Sequence, residues 1–252
     1  MCTLIILRRP GHPWPLLLAG NRDEMPDRPW DAPGRHWRDR PELVAGRDRL
    51  AAGSWMGIND HGVSSVVMNR AKSLGPDPEK RSRGELVLEA LDHAEAAEAA
   101  LALAQLNPDA YRPFNLFVGD WRHAFWIRNA DGAIASEEIP PGLHMLTSLE
   151  MNDAGDPRIA HYLPRFRAAA EPDPDGGEWD DWRELLASHD RPPGEERSAS
   201  MCFSLQTGLR TLSSSLIALP RQPGVDSRPV WLFSPGPPDR VEFEPVDLER
   251  LE

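Results

Sequence analysis

The second residue of the chain is a cysteine, which places a candidate nucleophile at the amino terminus. Cysteine is small enough for methionine aminopeptidase to remove Met1, and Cys2 would then carry both a thiol and a free α-amine. A free thiol is only a few per cent ionised at neutral pH, but the adjacent amine, with a pKa of about 8, can accept its proton directly or through a water. The residue therefore combines a nucleophile with its own base. The simpler alternative is that Cys2 is a small apolar residue opening a strand.

The other cysteine, Cys202, lies in an apolar run, and we expect a buried free thiol there. Neither cysteine belongs to a CxxC motif, and none of the eight histidines recurs at a zinc-ligand spacing. The sequence therefore predicts no disulfide, no metal site and no resident cofactor.

Charge and hydropathy exclude several classes of function. Acidic residues outnumber basic ones by 40 to 28, with no Lys/Arg run, which argues against nucleic acid as a partner. The longest apolar runs, residues 3–7 and 16–20, are far shorter than the ~20 residues of a membrane span. Arg8 and Arg9 follow the first apolar run instead of preceding it, unlike a secretory signal. We expect a cytoplasmic protein that takes a small-molecule substrate or ligand; the sequence leaves its oligomeric state open.

Strands joined by turns should position Cys2. Residues 3–7 and 15–19 flank a Pro- and Gly-rich turn and predict a hairpin, which brings Cys2 close to the end of the second strand at residues 21–24. A second hairpin is predicted from residues 53–58 and 63–69. Residues 31–41, rich in Pro and Trp, are predicted to be a loop.

The remaining segments alternate between helical blocks and strand blocks. Residues 82–85 fit a capping box, and one long or two shorter helices should run to about residue 106. Further helices are predicted over residues 157–170 and 178–188. Further strands are predicted at residues 114–118, 124–128, 133–139, 143–148, 199–205, 211–219, 230–233 and 241–243. Elements gathered in blocks favour an α+β fold, and we predict two mainly antiparallel sheets between helical layers, in a single domain over residues 1–252.

Motifs in the first half of the chain resemble the NRDE family, also called the transport-and-Golgi-organisation family. Their order along the chain also matches that family. The motifs are Met1-Cys2-Thr3, Asn21-Arg22-Asp23-Glu24, Gly53-Ser54-Trp55-Met56-Gly57-Ile58, Arg83-Gly84-Glu85-Leu86-Val87 and Phe114-Asn115-Leu116. The amino-terminal third is also similar to the choloylglycine hydrolase and penicillin V acylase group of N-terminal-nucleophile (Ntn) hydrolases. The resemblance implies an Ntn-hydrolase-like αββα sandwich.

The same resemblance assigns roles to residues of this chain. It implies Cys2 as the nucleophile, Asp23 as the group that orients the amine, and Asn69 as an oxyanion donor, whose loss typically costs ~10²–10³ in rate. Arg22 is a further catalytic candidate. Simpler explanations exist, since Asp and Asn also stabilise turns at strand ends by bonding their own backbone.

Three departures from the acylase pattern affect these assignments. The group carries its Arg three residues before the Asp, whereas Arg22 immediately precedes Asp23, so the two side chains should point to opposite faces of the strand. Asn21 shares the face of Asp23 and is the better partner for it. The acylases also have an Asn after a Leu-Ser or Leu-Thr pair, where this chain has Ser148. The family's arginine near the carboxyl terminus corresponds only loosely to Arg210.

Four residues are predicted to contact the ligand: Asn21, Glu24, Trp55 and Ser148. Trp55, between two glycines, can alternatively belong to the core. We predict hydrolysis of a linear amide or related acyl bond through an acyl-thioester on Cys2. The alternative is a binding or trafficking protein that uses the same end of the sheet as a cleft, since the NRDE family is associated with haem handling and acyl lipid metabolism. A Cys or His could ligate haem iron, but no CxxCH occurs.

Overall fold

Two antiparallel sheets lie face to face in the computed structural model of the chain, which describes residues 2–75, 77–221 and 228–249. The first sheet consists, in spatial order, of β10 (Gly142–Leu146), β1 (Thr3–Arg8), β2 (Leu16–Glu24), β11 (Arg210–Leu219), β12 (Val230–Ser234) and β13 (Glu244–Pro245). The second consists of β3 (Trp30–Gly34), β4 (Leu43–Asp48), β5 (Met56–Asn59), β6 (Ser64–Asn69), β7 (Phe114–Gly119), β8 (Ala124–Ala130) and β9 (Ala133–Glu138).

Helices cover the outer face of each sheet. The second sheet packs against α1 (Gly84–Leu91) and α2 (Ala96–Leu103), and the first packs against α3 (Pro157–Ala168) and α4 (Asp180–Ala187). Successive residues of β1 explain this layering, because Leu4 and Ile6 point between the sheets while Ile5 and Leu7 point towards α3 and α4. The predicted αββα sandwich is confirmed.

The amino-terminal hairpin forms in the predicted register. Thr3 lies opposite Asn21, and Leu7 lies opposite Leu17. On the other side of β2 lies β11, which comes from the last fifth of the chain and separates β2 from β12. The centre of the first sheet therefore joins segments about 190 residues apart in sequence, and the pairing of β2 with β11 was not predicted.

Three predicted elements differ from the structure, and one strand was not predicted. The Pro-rich segment 31–41 begins within strand β3, because Pro33 is tolerated on an edge strand, which needs no hydrogen bond on one side. Strand β4 was overlooked with it. The strand predicted at residues 199–205 is a 3₁₀ turn (Arg197–Ala199) followed by irregular chain. The strand predicted at residues 241–243 is the two-residue β13 at Glu244–Pro245.

The capping box predicted at residues 82–85 also does not form. Arg83 is the residue before α1 and its side chain makes no capping bond, while Glu85 pairs with Arg81. The Oγ of Ser82 instead accepts a hydrogen bond from the N–H of Gly84 at 3.2 Å. The helical block itself consists of two short helices, α1 and α2, one of the two predicted outcomes. Across the described ranges, no helix is long and apolar enough to cross a membrane.

Candidate functional site

Cys2 lies directly before β1, and its side chain points between the two sheets. It packs against the apolar cluster that the sheets share. Its Sγ lies 3.7 Å from the main-chain carbonyl oxygen of Asp23, so the predicted proximity of these two residues is confirmed. Continuing the register of β1 and β2 by one residue places Cys2 beside Arg22.

A cavity of about 330 Å³, counted to its open mouth, adjoins the thiol. Its walls are apolar on the side of the second sheet and polar on the side of β2 and β11. The lining residues are Cys2, Thr3, Gly20, Asn21, Arg22, Trp55, Met56, Val66, Val67, Met68, Ser213 and Ser215. Gly20 lets β1 and β2 approach closely at this wall, because a Cβ there would lie 2.7 Å from the carbonyl oxygen of Thr3. The enclosed part of this space is only about 20 Å³, enough for about one water molecule, so most of the volume belongs to the open mouth.

Arg22 is the charged side chain closest in register to the thiol. It is 7% exposed, and its guanidinium lies 4.3 Å from the ring centroid of Trp55 and 3.9 Å from a carboxylate oxygen of Glu24. Its Nη1 is buried without a hydrogen-bond partner in the described part of the chain. Burial lowers the pKa of Arg22. An unpartnered guanidinium N–H beside a thiol is suited to donate a hydrogen bond to a carbonyl or carboxylate oxygen.

Alternation along β2 separates Arg22 from Asp23 as predicted, and the residue that shares the face of the thiol is Arg22. Asp23 points towards α3, where its Oδ2 accepts a hydrogen bond from Arg158 Nη1 at 3.1 Å and its Oδ1 accepts one from Thr211 Oγ1 at 2.8 Å. Arg158 also donates to the hydroxyl of Thr3. The carboxylate therefore lies beneath the main chain of residues 2 and 3, not beside the sulfur.

Asn21 faces the same side as Asp23, and its side chain bonds within the fold. Its Nδ2 donates to the carbonyl oxygens of Leu186 and Met201, at 2.9 and 3.0 Å. These bonds tie β2 to the end of α4. The amide predicted to contact a ligand is thus 2% exposed and holds a helix in place.

A β-bulge in β11 brings a serine to the cavity. Thr211 pairs with Asp23, but Ser213 pairs with Arg22, and the extra residue between them is Leu212. Strict alternation would turn Ser213 towards α3, as it turns Thr211. The bulge instead places Ser213 on the cavity side, next to Ser215, whose Oγ accepts a hydrogen bond from Trp231 Nε1 at 3.2 Å. Arg210, at the start of β11, is exposed and does not line the cavity.

Ser148 lies in the segment after β10, which the buried side chain of Asn115 links to the second sheet. The register of β1 and β10, continued by two residues, places Ser148 beside Cys2 on the side away from β2. Asn115 on β7 donates its Nδ2 to the carbonyl oxygens of Thr147 and Leu149, at 3.0 and 2.8 Å. The carbonyl oxygen of Ser148 accepts a hydrogen bond from Ala71 N at 2.9 Å. This structural role accounts for the asparagine in the Phe114-Asn115-Leu116 motif.

Asn69 and Glu24 lie outside the cavity wall. Asn69 ends β6 half-buried, and by alternation its side chain shares the outer face with Val67, whereas Val66 and Met68 point between the sheets. Glu24 is 29% exposed and lies 3.8 Å from Arg28 as well as near Arg22. Glu24 therefore forms an ion pair with Arg22 from outside the cavity.

The thiol of Cys2 has its pKa raised, first by burial and then by the negative charge of Asp23, while Arg22 opposes both effects. Arg83 adds positive charge to the same region: burial, followed by repulsion from Arg112 and Arg28, lowers its pKa to about 10. Its guanidinium is bound by the carbonyl oxygens of Ser73 and Pro113, at 2.9 and 3.0 Å. In the chain that retains Met1, the thiol is therefore held in its protonated form.

Sequence reasoning overlooked Arg158, Ser213 and Asn115. An Asp156 side chain caps α3 and Pro157 opens it, so a helix start was visible, but nothing local indicates that the next residue reaches β2. Ser213 depends on a bulge that the run of serines does not reveal. Only Asn115 carried a signal, since it belongs to a motif that the resemblance had already identified.

Comparison with solved structures places the chain among Ntn-hydrolase folds. An N-acylethanolamine-hydrolyzing acid amidase orthologue from Caenorhabditis elegans superposes with a TM-score of 0.59 at 13% identity, over 88% of this chain and 95% of that one. Penicillin V acylase from Agrobacterium tumefaciens gives 0.52 at 15% identity, over 93% and 83%. The C2A mutant of conjugated bile acid hydrolase from Clostridium perfringens gives 0.51 at 9% identity, over 99% and 98%.

Sequence comparison gives one family and no characterised relative. A family model described as Transport and Golgi organisation 2 matches residues 1–219. No curated protein is significantly similar to the chain.

Proposed function

The chain belongs to the Transport and Golgi organisation 2 family, and from that premise we propose that it is a cysteine amidohydrolase whose nucleophile is Cys2 after removal of Met1. The observation that carries the proposal is the position of the Cys2 thiol. It lies at the wall of a partly apolar cavity, next to a buried guanidinium with an unpartnered N–H. A carbonyl group that reaches the thiol from the mouth of the cavity has a hydrogen-bond donor in Arg22.

The reaction follows the usual course of acyl transfer through sulfur. The α-amine of Cys2 takes the thiol proton, and Sγ attacks the carbonyl carbon of a linear amide. Arg22 Nη1 donates to the oxygen that becomes negative, in the role first expected of Asn69. The C–N bond breaks as the ammonium returns its proton to the leaving nitrogen, and water then hydrolyses the thioester to release the acid.

Asp23 has a positioning role in this scheme. Its carboxylate, fixed by Arg158 and Thr211 under the main chain of residues 2 and 3, favours the protonated amine and orients it. A new ammonium at residue 2 also offsets the negative charge that now raises the pKa of the thiol. Removal of Met1 is therefore the step that activates the sulfur.

The cavity favours an apolar acyl group over a charged one. Met56, Val66 and Met68 form the wall of the second sheet, and Trp55 covers Arg22 at its edge. An apolar acyl group suits these surfaces better than a charged one, because burying apolar area is favourable whereas an unpaired charge among these side chains would be costly. The amine part of the substrate would lie towards the mouth.

Mass spectrometry of the native amino terminus is the first test. We expect a chain that begins at Cys2, and we expect an acylating thiol probe to label Cys2 in preference to Cys202, which is buried and bonded to Asp239. A matched control is the same protein released from a fusion with Met1 retained, which should label far more slowly because it lacks the amine next to the sulfur. Equal labelling of the two forms would contradict the mechanism.

The Cys2→Ser variant separates a catalyst from a binding protein. Turnover of an acyl amide should fall by at least about 100-fold, as for loss of a nucleophile, while ligand affinity and thermal stability stay close to wild type because a single atom changes. Loss of haem or acyl-thioester binding in this variant, with no turnover in the wild type, would instead indicate the family's binding role. Asp23→Asn is a poorer probe, since it also breaks a buried ion pair with Arg158.

A further inference from the structure

Three potential metal ligands meet on the helix-covered side of the first sheet, away from the cavity. They are His189, in the loop after α4; Cys202, in the segment before β11; and Asp239, in the loop after β12. Cys202 Sγ lies 3.3 Å from Asp239 Oδ1, and His189 Nε2 lies 3.1 Å from Asp239 Oδ2. One ligand atom from each residue lies within 4.8 Å of the other two.

The two contacts of Asp239, one through each carboxylate oxygen, are close in length to the ligand separations around a tetrahedral ion. Zinc bonds of about 2.3 Å to sulfur and 2.0–2.2 Å to nitrogen or oxygen place neighbouring ligand atoms about 3.3–3.6 Å apart. A thiolate, an imidazole and a carboxylate also form a donor set that Zn²⁺ prefers, whereas Mg²⁺ and Ca²⁺ prefer oxygen alone. Binding would require the three ligand atoms, now within 4.8 Å of one another, to converge on one point.

The order of the contacts does not fit a catalytic triad. In a triad the histidine touches the nucleophile and the acid touches the histidine. Here Asp239 lies between Cys202 and His189, where it holds the thiol proton instead of removing it. Among the described residues, no histidine contacts the sulfur in this arrangement, since His189 reaches only the carboxylate.

The surroundings leave one side of the cluster open. Cys202 is buried, whereas His189 is 61% exposed, so water can reach a fourth position. Arg240, itself 77% exposed, lies 3.4 Å from Asp239 Oδ2 and is the cation that an ion would displace.

We propose that His189, Cys202 and Asp239 bind one Zn²⁺ ion, with water as the fourth ligand. Binding replaces the thiol proton, which passes to solvent, and links three separate segments of the chain. The ion would tie the loop after α4 to the segments that precede β11 and follow β12, which lie at the same end of this antiparallel pair, and would thereby stabilise the folded state. This site is independent of the proposed hydrolase activity, because it lies on the other side of the first sheet from Cys2.

The test uses the full chain without an affinity tag. After treatment with a chelator, we expect one equivalent of Zn²⁺ to bind in competition with a chromophoric chelator and to raise Tm, whereas Mg²⁺ has no effect. Co²⁺ should bind at the same place and give a thiolate-to-cobalt charge-transfer band, which reports on sulfur ligation directly. His189→Ala and Cys202→Ser should each weaken Zn²⁺ binding by more than about tenfold.

Matched variants make the outcome decisive. His61 pairs with Glu42 at the same 3.1 Å but has no thiol in that pair, so His61→Ala should bind Zn²⁺ like wild type, as should Cys2→Ser. Arg240→Ala should bind at least as tightly as wild type, because a competing cation is gone. His189→Ala keeps the test valid if Cys202→Ser fails to fold, since its side chain is exposed. Equal affinity in His189→Ala and His61→Ala, or loss of binding in Cys2→Ser, would overturn the proposal.

Discussion

At the scale of single residues, alternation along β2 explains both what the sequence reveals and what it hides. It correctly separates Arg22 from Asp23, and it places Asn21 with Asp23. It cannot say which face carries the thiol, because that depends on the register of β1 against β2. Cys2, Asp23 and Trp55 were identifiable as candidates, whereas the structural role of Asn21 depends on α4, which is 165 residues away in sequence.

The first prediction at this scale concerns the ionisation of the thiol. The charge of Arg22 lowers the pKa of Cys2, so Arg22→Gln should raise it, and the pH dependence of alkylation at Cys2 should move to higher pH. Rates with iodoacetamide between pH 6 and about 10 measure the shift. Arg210→Gln is the control, because Arg210 is exposed and outside the cavity. An unchanged profile in Arg22→Gln would show that the guanidinium does not act on the sulfur.

At the scale of elements, two glycines from different motifs are in contact, and this contact accounts for both. Gly53 and Gly84 belong to the Gly53-Ser54-Trp55 and Arg83-Gly84-Glu85 motifs, and the start of α1 packs directly on the chain before β5. Ser54 N donates to the carbonyl oxygen of Gly84 at 3.0 Å, and a Cβ on Gly53 would lie 2.5 Å from the carbonyl carbon of Gly84. The motifs were readable in the sequence, but their contact was not.

Gly53→Ala should therefore destabilise the fold. The added methyl group meets main-chain atoms that cannot rotate away, and overpacking of this kind costs about 1–3 kcal/mol. For a chain of this size, Tm should fall by about 2–4 °C for each kcal/mol. Gly34→Ala, on the edge strand β3, should change Tm by less than about 2 °C, because the nearest atoms belong to the movable ring of His36 at 3.4 Å. Equal effects of the two substitutions would contradict the proposed packing.

At the scale of the whole molecule, the first sheet is assembled from both halves of the chain. Periodicity predicted most individual strands, but neither the pairing of β2 with β11 nor the sheet to which each strand belongs follows from a local pattern. Strands β3 and β4 were also not predicted, because Pro33 made the first of them resemble a loop. Three apolar clusters, one between the sheets and one under each helical layer, reflect the same long-range pairing.

A chain ending at residue 205 should therefore fail to fold cooperatively. It lacks β11, which pairs with β2 along its whole length, and with it the buried residues Leu216, Ile217 and Leu219. Thermal unfolding followed by circular dichroism should show no sharp transition, and the chain should be digested rapidly by protease. A chain ending at residue 243, which lacks only β13 and the terminal segment, should retain the transition. A cooperative transition in the shorter chain would contradict the central role of β11.

The late position of β11 in the chain also determines how long the Cys2 thiol stays exposed during synthesis. At about 5–20 residues per second, β2 leaves the ribosome roughly ten to forty seconds before β11. During that interval the wall that holds Ser213 and Ser215 does not exist, and Cys2 is an ordinary thiol open to oxidants in its surroundings. The sulfur is therefore protected from oxidation only after the last fifth of the chain has been synthesised and β11 has paired with β2.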